Sequence, residues 1–194
     1  MRVKIYLTLI CLLLLTFLGC SEQPKKEQIS NKYLELIKTQ PNNPVHYTNL
    51  GWIYYKEGNF QEAAKLYNLA LKINTNNSIA KYNLALVYIA QKDYLKAEKE
   101  LTALLKLQPE HNLALLKLGE VSIKLKDYKK AQQVFKSYRK IDPFSANALK
   151  GLGDSYAGLG LKEKARSAYK LALRYVPEYV EAREALKNLE DNKK

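Results

Sequence analysis

The side chains that could support catalysis or metal binding are few in this chain and lie far apart. Its 194 residues include two histidines, His46 and His111, and two cysteines, Cys11 and Cys20. A zinc or nucleophilic site needs several such groups at short, fixed spacings, and neither an HExxH nor a CxxC motif occurs. The sequence therefore predicts a protein that is not an enzyme and that has no metal or cofactor site.

Serines and glycines give no stronger sign of catalysis. Ser122 and Ser155 lack the G-x-S-x-G elbow that exposes a nucleophilic serine. Four glycines lie close together in the last third of the chain: Gly151, Gly153, Gly158 and Gly160. They fall within or just after a helical pattern and do not follow a strand, so they are not expected to bind phosphate.

Cys20 is the one side chain whose surroundings indicate covalent chemistry. Arg2 and Lys4 come before an apolar stretch from Ile5 to Leu18, and Gly19 and Cys20 follow it. This order is typical of a secretory signal peptide, and the stretch is shorter than the ~20 residues that span a membrane.

The segment Phe17-Leu18-Gly19-Cys20 resembles the bacterial lipobox, although the family usually has leucine where Phe17 stands. The resemblance implies cleavage after Gly19, acylation of Cys20 and attachment to the membrane through lipid. It places the protein in the bacterial cell envelope, with the outer membrane favoured because Ser21 rather than aspartate follows the cysteine. A retained N-terminal anchor and a cytosolic protein are the alternatives.

A block of 34 residues recurs four times without a gap, from Pro44 to Tyr179. Its eighth position is small, its twentieth is alanine, its twenty-fourth is bulky, and its thirty-second is proline in three blocks and Thr75 in the first. The eighth position holds Gly51, Ala85, Gly119 and Gly153; the twentieth holds Ala63, Ala97, Ala131 and Ala165; the twenty-fourth holds Tyr67, Leu101, Phe135 and Tyr169. Apolar residues three or four apart predict two helices per block, joined by a short turn such as the one at Gly58.

These positions resemble the tetratricopeptide repeat, whose signature is W-x2-L-G-x2-Y, then A-x3-F, then P. The resemblance implies an all-α, right-handed superhelical solenoid of helix pairs. The predicted parts are a signal peptide (1–19), a lipidated tether (20–28), an orphan helix (29–43), four repeats (44–77, 78–111, 112–145 and 146–179) and a capping helix (180–194).

The resemblance also implies that the first helix of each pair lines a concave groove that binds a helix or an extended segment of a protein partner. The candidate groove residues are Trp52, Tyr55, Tyr82, Asn83, Leu86, Ile89, Leu116, Lys117, Glu120 and Ile123. In the fourth block the inward positions include the polar residues Asn147, Lys150 and Asp154. Trp52 stands out because tryptophan dominates interface hot spots, unless the orphan helix buries it as core. The rival function is a structural spacer or a self-associating envelope component.

Positive charge is concentrated in the second helix of the third block. The formal net charge is +13, and this helix contributes Lys129, Lys130, Lys136, Arg139 and Lys140. A solvated outer face is the plain interpretation, and a patch for anionic lipid headgroups or an acidic partner is the alternative. Nucleic acid is not expected, because the chain has no recognised nucleic-acid fold and the leader directs it out of the cytoplasm.

Overall fold

The computed structural model describes residues 23–191, which form ten α-helices and no strand. The helices are α1 (Gln23–Thr39), α2 (Pro44–Lys56), α3 (Phe60–Ile73), α4 (Ser78–Ala90), α5 (Tyr94–Leu107), α6 (Asn112–Lys124), α7 (Tyr128–Ile141), α8 (Ala146–Gly158), α9 (Lys162–Tyr175) and α10 (Val180–Asp191). Helices α2 to α9 form four pairs whose boundaries repeat with the 34-residue period of the sequence. The predicted all-α repeat architecture is therefore confirmed.

The eighth, twentieth and twenty-fourth positions of every block are buried, as their residue types predicted. The alanines at the twentieth position are fully inaccessible to solvent, and the bulky residues at the twenty-fourth are at most 3% exposed. Burying one large apolar side chain contributes about 1.5–3 kcal/mol relative to leaving it in water. Each pair of helices is thus held by the residues that define the repeat.

The helices group into two compact units, one containing α1–α3 and ending at Thr75, the other containing α4–α10 and beginning at Asn76. In the first unit, Leu50 of α2 and Ala63 of α3 are buried. The ring of Tyr67 lies so near Gly51 that a Cβ atom at this glycine would be 2.9 Å from it. The small residue at the eighth position is what allows α2 and α3 to approach.

The second unit has a core that runs along its successive helices. Leu101 and Leu104 of α5 pack with Leu118 of α6, and the next cluster along the chain forms around Phe135 of α7. At the end of the unit, Ala182 of α10 closes over residues of α8 and α9. Because each pair of helices depends on its neighbours for burial, the unit has the packing expected of a stacked repeat.

Side-chain caps fix the start of the first helix in each pair. A side chain in the residue before the helix accepts a hydrogen bond from a backbone N–H of the first turn, which otherwise has no partner. The capping residues are Asn43, Asn77, His111 and Ser145. The Nδ1 atom of His111 accepts from the Ala114 N–H at 3.2 Å. This histidine therefore has a structural role.

The first helix begins earlier than the sequence predicted. We expected a polar tether over residues 20–28 and a helix from Ile29, but α1 begins at Gln23. Proline is tolerated in the first turn of a helix, so Pro24 does not prevent this start. Lysine, glutamate and glutamine, which follow it in the sequence, are good helix formers. Polarity alone was a poor reason to predict an irregular tether.

Proline is not required to end the second helix of a pair. The helices α5, α7 and α9 end two residues before a proline, and α3 ends at the equivalent residue, Ile73, although Thr75 replaces the proline. The residue after each helix adopts an extended backbone, as Asn74 does with φ −136° and ψ 99°. The repeat therefore stops the helix at the same place with or without proline.

The predicted signal peptide and Cys20 lie outside the described residues. Between residues 23 and 191, no helix is both long enough and apolar enough to cross a membrane.

Candidate partner-binding surfaces

The first unit presents an aromatic surface on α2. The rings of Trp52 and Tyr55 stack with centroids 5.4 Å apart and planes inclined by 17°, and Phe60 lies 5.7 Å beyond Tyr55. The Nζ atom of Lys56 is 5.6 Å from the Trp52 ring centroid, a cation–π distance. Trp52 is 43% exposed, so α1 does not bury it as core.

The second unit has its own row of accessible apolar side chains on the first helices of its pairs. Ile79 on α4 and Leu113 on α6 are 64% and 55% exposed. The predicted groove residues on these helices are half-buried, except that Glu120 is exposed: Tyr82, Asn83, Leu86 and Ile89 on α4, and Leu116, Lys117 and Ile123 on α6. Side chains that are only partly covered can be buried further by a partner.

A pocket of about 70 Å³ lies between α6 and α8. Its apolar walls come from Leu116, Ile123 and Phe135. The polar lining consists of Glu120, Asn147, Lys150, Asp154 and Tyr179, and the backbone of Gly151 completes it. We call this the α6–α8 pocket. Its size suits the end of one side chain rather than a small-molecule substrate, whose sites are usually several times larger.

Two ion pairs hold the polar rim of the pocket. Lys117 Nζ lies 2.8 Å from Glu120 Oε2 on α6, and Lys150 Nζ lies 2.7 Å from Asp154 Oδ2 on α8. The hydroxyl of Tyr169 on α9 donates to the other oxygen of Asp154 at 2.9 Å. Burial, followed by the nearby charge of Asp154 and this hydrogen bond, raises the pKa of Tyr169. The hydroxyl is thus kept protonated and Asp154 is held on both oxygens.

Tyr179, just before α10, contributes a half-buried ring to the pocket. Burial raises the pKa of its hydroxyl, and the carboxylates of Glu181, Asp154 and Glu120 raise it further. The pocket therefore offers the neutral hydroxyl of Tyr179 beside the carboxylates of Glu120 and Asp154, each of which is ion-paired with a lysine. Such a rim can orient a peptide backbone or a polar side chain while the apolar walls receive an anchor.

The shape of the pocket depends on Phe135. Its ring lies so close to α6 and α8 that a Cβ atom at Gly119 would be 2.5 Å from it, and one at Gly151 would be closer still. Glycine on both helices makes room for the ring and leaves the Gly151 backbone in the pocket wall. Close approach, rather than flexibility, is the reason for glycine at these two helical positions.

The structure brings some predicted groove residues together and adds others that the sequence did not indicate. Leu116, Glu120 and Ile123 meet at the pocket, together with residues of the fourth block. Phe135 and Tyr179 were not predicted there. Tyr179 occupies the position that Asn77, His111 and Ser145 use for capping, and an aromatic ring at a capping position was the available signal.

The five basic residues predicted as a patch on α7 have different surroundings. Lys130 pairs with Glu98 of α5 at 2.7 Å. Arg139 is half-buried and lines a cavity of about 390 Å³ with residues of α8 and α9. The exposed members are Lys129, Lys136 and Lys140. Only part of the predicted patch is therefore available as an accessible positive surface.

The remaining candidates for chemistry have packing roles. The Ser122 and Ser155 hydroxyls are buried and donate to backbone carbonyls of Leu118 and Gly151 in their own helices, at 2.8 and 2.7 Å. In the part of the chain that the structure describes, no group of three or more His, Cys, Asp or Glu side chains is arranged to hold a metal ion.

Family models of the tetratricopeptide repeat match residues 44–77, 82–146 and 131–180. No curated protein sequence matches this chain. Among solved structures, YrrB, a TPR protein with an unusual peptide-binding site, has a TM-score of 0.78 and 22% identity over 86% of this chain and 86% of YrrB.

Two further solved structures have similar folds. A tetratricopeptide repeat protein from Parabacteroides merdae has a TM-score of 0.78 and 26% identity, covering 87% of this chain and 67% of its own. MamA from Desulfovibrio magneticus RS-1 has a TM-score of 0.74 and 26% identity, covering 78% of this chain and 85% of its own. With its 34-residue period, its buried packing positions and these matches, the chain belongs to the tetratricopeptide repeat family.

Proposed function

We propose that this protein is a lipid-anchored scaffold of the bacterial cell envelope that binds a segment of a partner protein on the first helices of its repeats and supports assembly of an envelope complex. The observation that carries the binding role is the row of accessible apolar side chains on α4 and α6, which leads to the α6–α8 pocket. Tetratricopeptide repeat proteins generally act as scaffolds rather than enzymes, which agrees with this role.

The pocket favours one kind of ligand. Its walls suit an aliphatic or aromatic anchor, and its rim is formed by ion pairs and a tyrosine hydroxyl, so it carries no free cation for a terminal carboxylate. A helix or an extended peptide with spaced apolar anchors fits such a surface. The peptide-binding site of YrrB supports a similar use of the same fold.

The envelope assignment rests on the first twenty residues. A basic start, a short apolar stretch and Cys20 after Gly19 together resemble a lipoprotein signal. A mature chain attached through two or three acyl chains would remain on the membrane, because each buried methylene contributes about 0.8 kcal/mol. The scaffold would then meet its partners at the membrane surface.

The binding proposal can be tested with a randomised peptide library displayed on phage and selected against the full chain. We expect the selected peptides to share apolar anchors at a fixed spacing. The double variant Ile79→Ser with Leu113→Ser removes two exposed apolar contacts from the proposed binding surface. It should weaken peptide binding about tenfold, which corresponds to a loss of ~1.4 kcal/mol. Binding would be measured by titration of labelled peptides.

The matched control carries Leu95→Ser with Leu161→Ser. These leucines are also exposed, at 69% and 39%, but they belong to the second helices of their pairs or the turn before them. This variant should bind the peptides as the parent chain does. Equal weakening in both variants, or a selection without any shared anchor, would show that the first helices are not the binding surface.

A further inference from the structure

Four basic residues occupy matched positions on α7 and α9. Lys136 and Lys170 hold the twenty-fifth position of the third and fourth blocks, and Lys140 and Arg174 hold the twenty-ninth. All four side chains are exposed. The two helices lie on either side of one cavity, since Arg139 of α7 lines it together with Ser167 and other residues of α9. The four charges therefore belong to one face of the second unit.

Exposed aromatic rings lie at the same end of these helices. Phe144 follows α7 and is 67% exposed, and Tyr175 is the last residue of α9 and is 40% exposed. The two rings meet edge to face with centroids 5.3 Å apart. Val176, next in the chain, is 44% exposed. An exposed phenylalanine paired with a tyrosine beside basic residues is an amphipathic surface that the groove does not use.

Helix stability accounts for only part of this arrangement. Cations in the last turn are favoured by the helix dipole, which explains Lys140 and Arg174. The dipole weakens beyond the last turn, so it does not explain Lys136 and Lys170. Helix α7 contains no acidic residue, and the carboxylate of Asp142 just after it accepts a hydrogen bond from the Phe144 N–H at 3.2 Å. Among the described residues, neither Lys136 nor Lys170 forms an ion pair, so both lysines remain available to an outside partner.

We propose that Lys136, Lys140, Phe144, Lys170, Arg174 and Tyr175, which we call the basic-aromatic edge, dock on the surface of a bilayer rich in anionic phospholipid. The headgroups would neutralise the four cations, and the rings would enter the interfacial layer, where aromatic side chains are favoured. An acidic protein segment would neutralise the charges, but its polar side chains would not provide the apolar environment that the exposed Phe144 ring favours. None of the six residues lines the α6–α8 pocket, so docking leaves that pocket open.

The size of the electrostatic contribution makes the proposal testable. A basic residue near an anionic membrane strengthens binding about fivefold, so four of them contribute on the order of several hundredfold. This contribution is screened by salt, because the Debye length falls as ionic strength rises. The contact should therefore depend on anionic lipid, on these four side chains and on low salt.

The test uses the full chain with its single tryptophan moved to the edge, by Trp52→Phe with Tyr175→Trp. Vesicles carry brominated acyl chains, which quench tryptophan only on contact, and contain either phosphatidylcholine alone or equal parts of phosphatidylcholine and phosphatidylglycerol. We expect emission to fall in the anionic vesicles and not in the neutral ones. Because quenching reports contact of the edge itself, it is independent of how the N-terminus attaches to the vesicle.

Two charge variants in this reporter chain complete the test. Replacing Lys136, Lys140, Lys170 and Arg174 with glutamine should abolish the quenching. The matched control replaces four other exposed lysines, Lys32, Lys72, Lys124 and Lys187, and should retain it. Quenching that is equal in neutral vesicles, that survives in the edge variant, or that is absent from every vesicle overturns the proposal. In the parent chain, Trp52 should stay unquenched by either vesicle, since it does not belong to the edge.

Discussion

One backbone position in each repeat has a conformation that most side chains avoid. In the turn between the paired helices, Gly58, Lys92, Lys126 and Gly160 all have positive φ, from 60° to 78°. The left-handed region costs a residue with a Cβ atom roughly 1–2 kcal/mol, whereas glycine adopts it freely. Two repeats thus accept this strain, and the lysines there contribute no contact that explains it.

Replacing the two lysines with glycine should therefore stabilise the protein. For Lys92→Gly and Lys126→Gly we expect the free energy of unfolding to rise by about 0.5–1 kcal/mol each, because the relief of strain exceeds the greater flexibility of glycine in the unfolded chain. Urea denaturation followed by circular dichroism at 222 nm would measure the change.

The controls separate strain from charge. Lys92→Ala and Lys126→Ala remove the same charges but keep a Cβ atom, so they should give no comparable gain. Gly58→Ala and Gly160→Ala should lower stability by about 1 kcal/mol, since these sites also have positive φ. Nothing lies within 4 Å of a Cβ atom added at either site, so the loss would reflect backbone strain and not a steric clash. A gain in the alanine variants of the lysines would indicate that charge repulsion, not backbone strain, is relieved.

At the scale of the helix, the pairs are packed by complementary sizes at two positions of the repeat. Where the eighth position is glycine, the twenty-fourth is aromatic, as with Gly119 and Phe135; where it is Ala85, the twenty-fourth is Leu101. A Cβ atom at Gly119 would meet the Phe135 ring at 2.5 Å, which no real packing permits. The combined size of the residues at the eighth and twenty-fourth positions therefore sets the distance between the two helices of a pair.

A double-mutant cycle can test this complementarity. Gly119→Ala should destabilise the protein by about 1–3 kcal/mol through overpacking. In the background of Phe135→Leu, which recreates the pair found in the second block, the same change should cost at least ~1 kcal/mol less. Chemical denaturation of the four proteins in the cycle gives the coupling energy.

The outcome depends on the coupling rather than on either single change. Phe135→Leu will itself lower stability, because its ring also fills the space beside Gly151. A cost of Gly119→Ala that is the same in both backgrounds would mean that α6 and α7 relax apart. The size match would then not determine their spacing.

Local pattern was sufficient to predict the helices and their packing residues, but not the details of the pocket. Ala63 and Tyr67 could be assigned because helical spacing and residue size reflect contacts inside one pair. The role of Tyr179 depends on the turn before α10, which brings its ring to the pocket, and the anchoring of Asp154 depends on Tyr169 of the next helix. The start of α1 at Gln23 also escaped prediction, because polar residues fit a tether and a solvent-exposed helix equally well.

At the scale of the whole molecule, the proposed function requires that the repeats be held at a membrane. None of the helices between residues 23 and 191 is long and apolar enough to span one. Our proposals give two means of attachment, an acylated Cys20 and the basic-aromatic edge. The two differ in strength, because acylation by two or more chains is effectively permanent while electrostatic docking is reversible by salt. A high-salt wash should therefore release a protein held only by the edge and leave an acylated protein on the membrane.

Metabolic labelling with a fatty acid gives the decisive comparison for the anchor. We expect the parent chain to incorporate label and to stay with membranes in high salt, and Cys20→Ala to lose both properties, since the thiol would be the site of acylation. Cys11→Ala is the matched control: Cys11 lies within the predicted signal peptide, so the mature protein should be labelled as before. Label that persists in Cys20→Ala would contradict lipidation at this residue. An unlabelled parent chain would remove the main support for an envelope scaffold and leave the peptide-binding role to be judged on the groove alone.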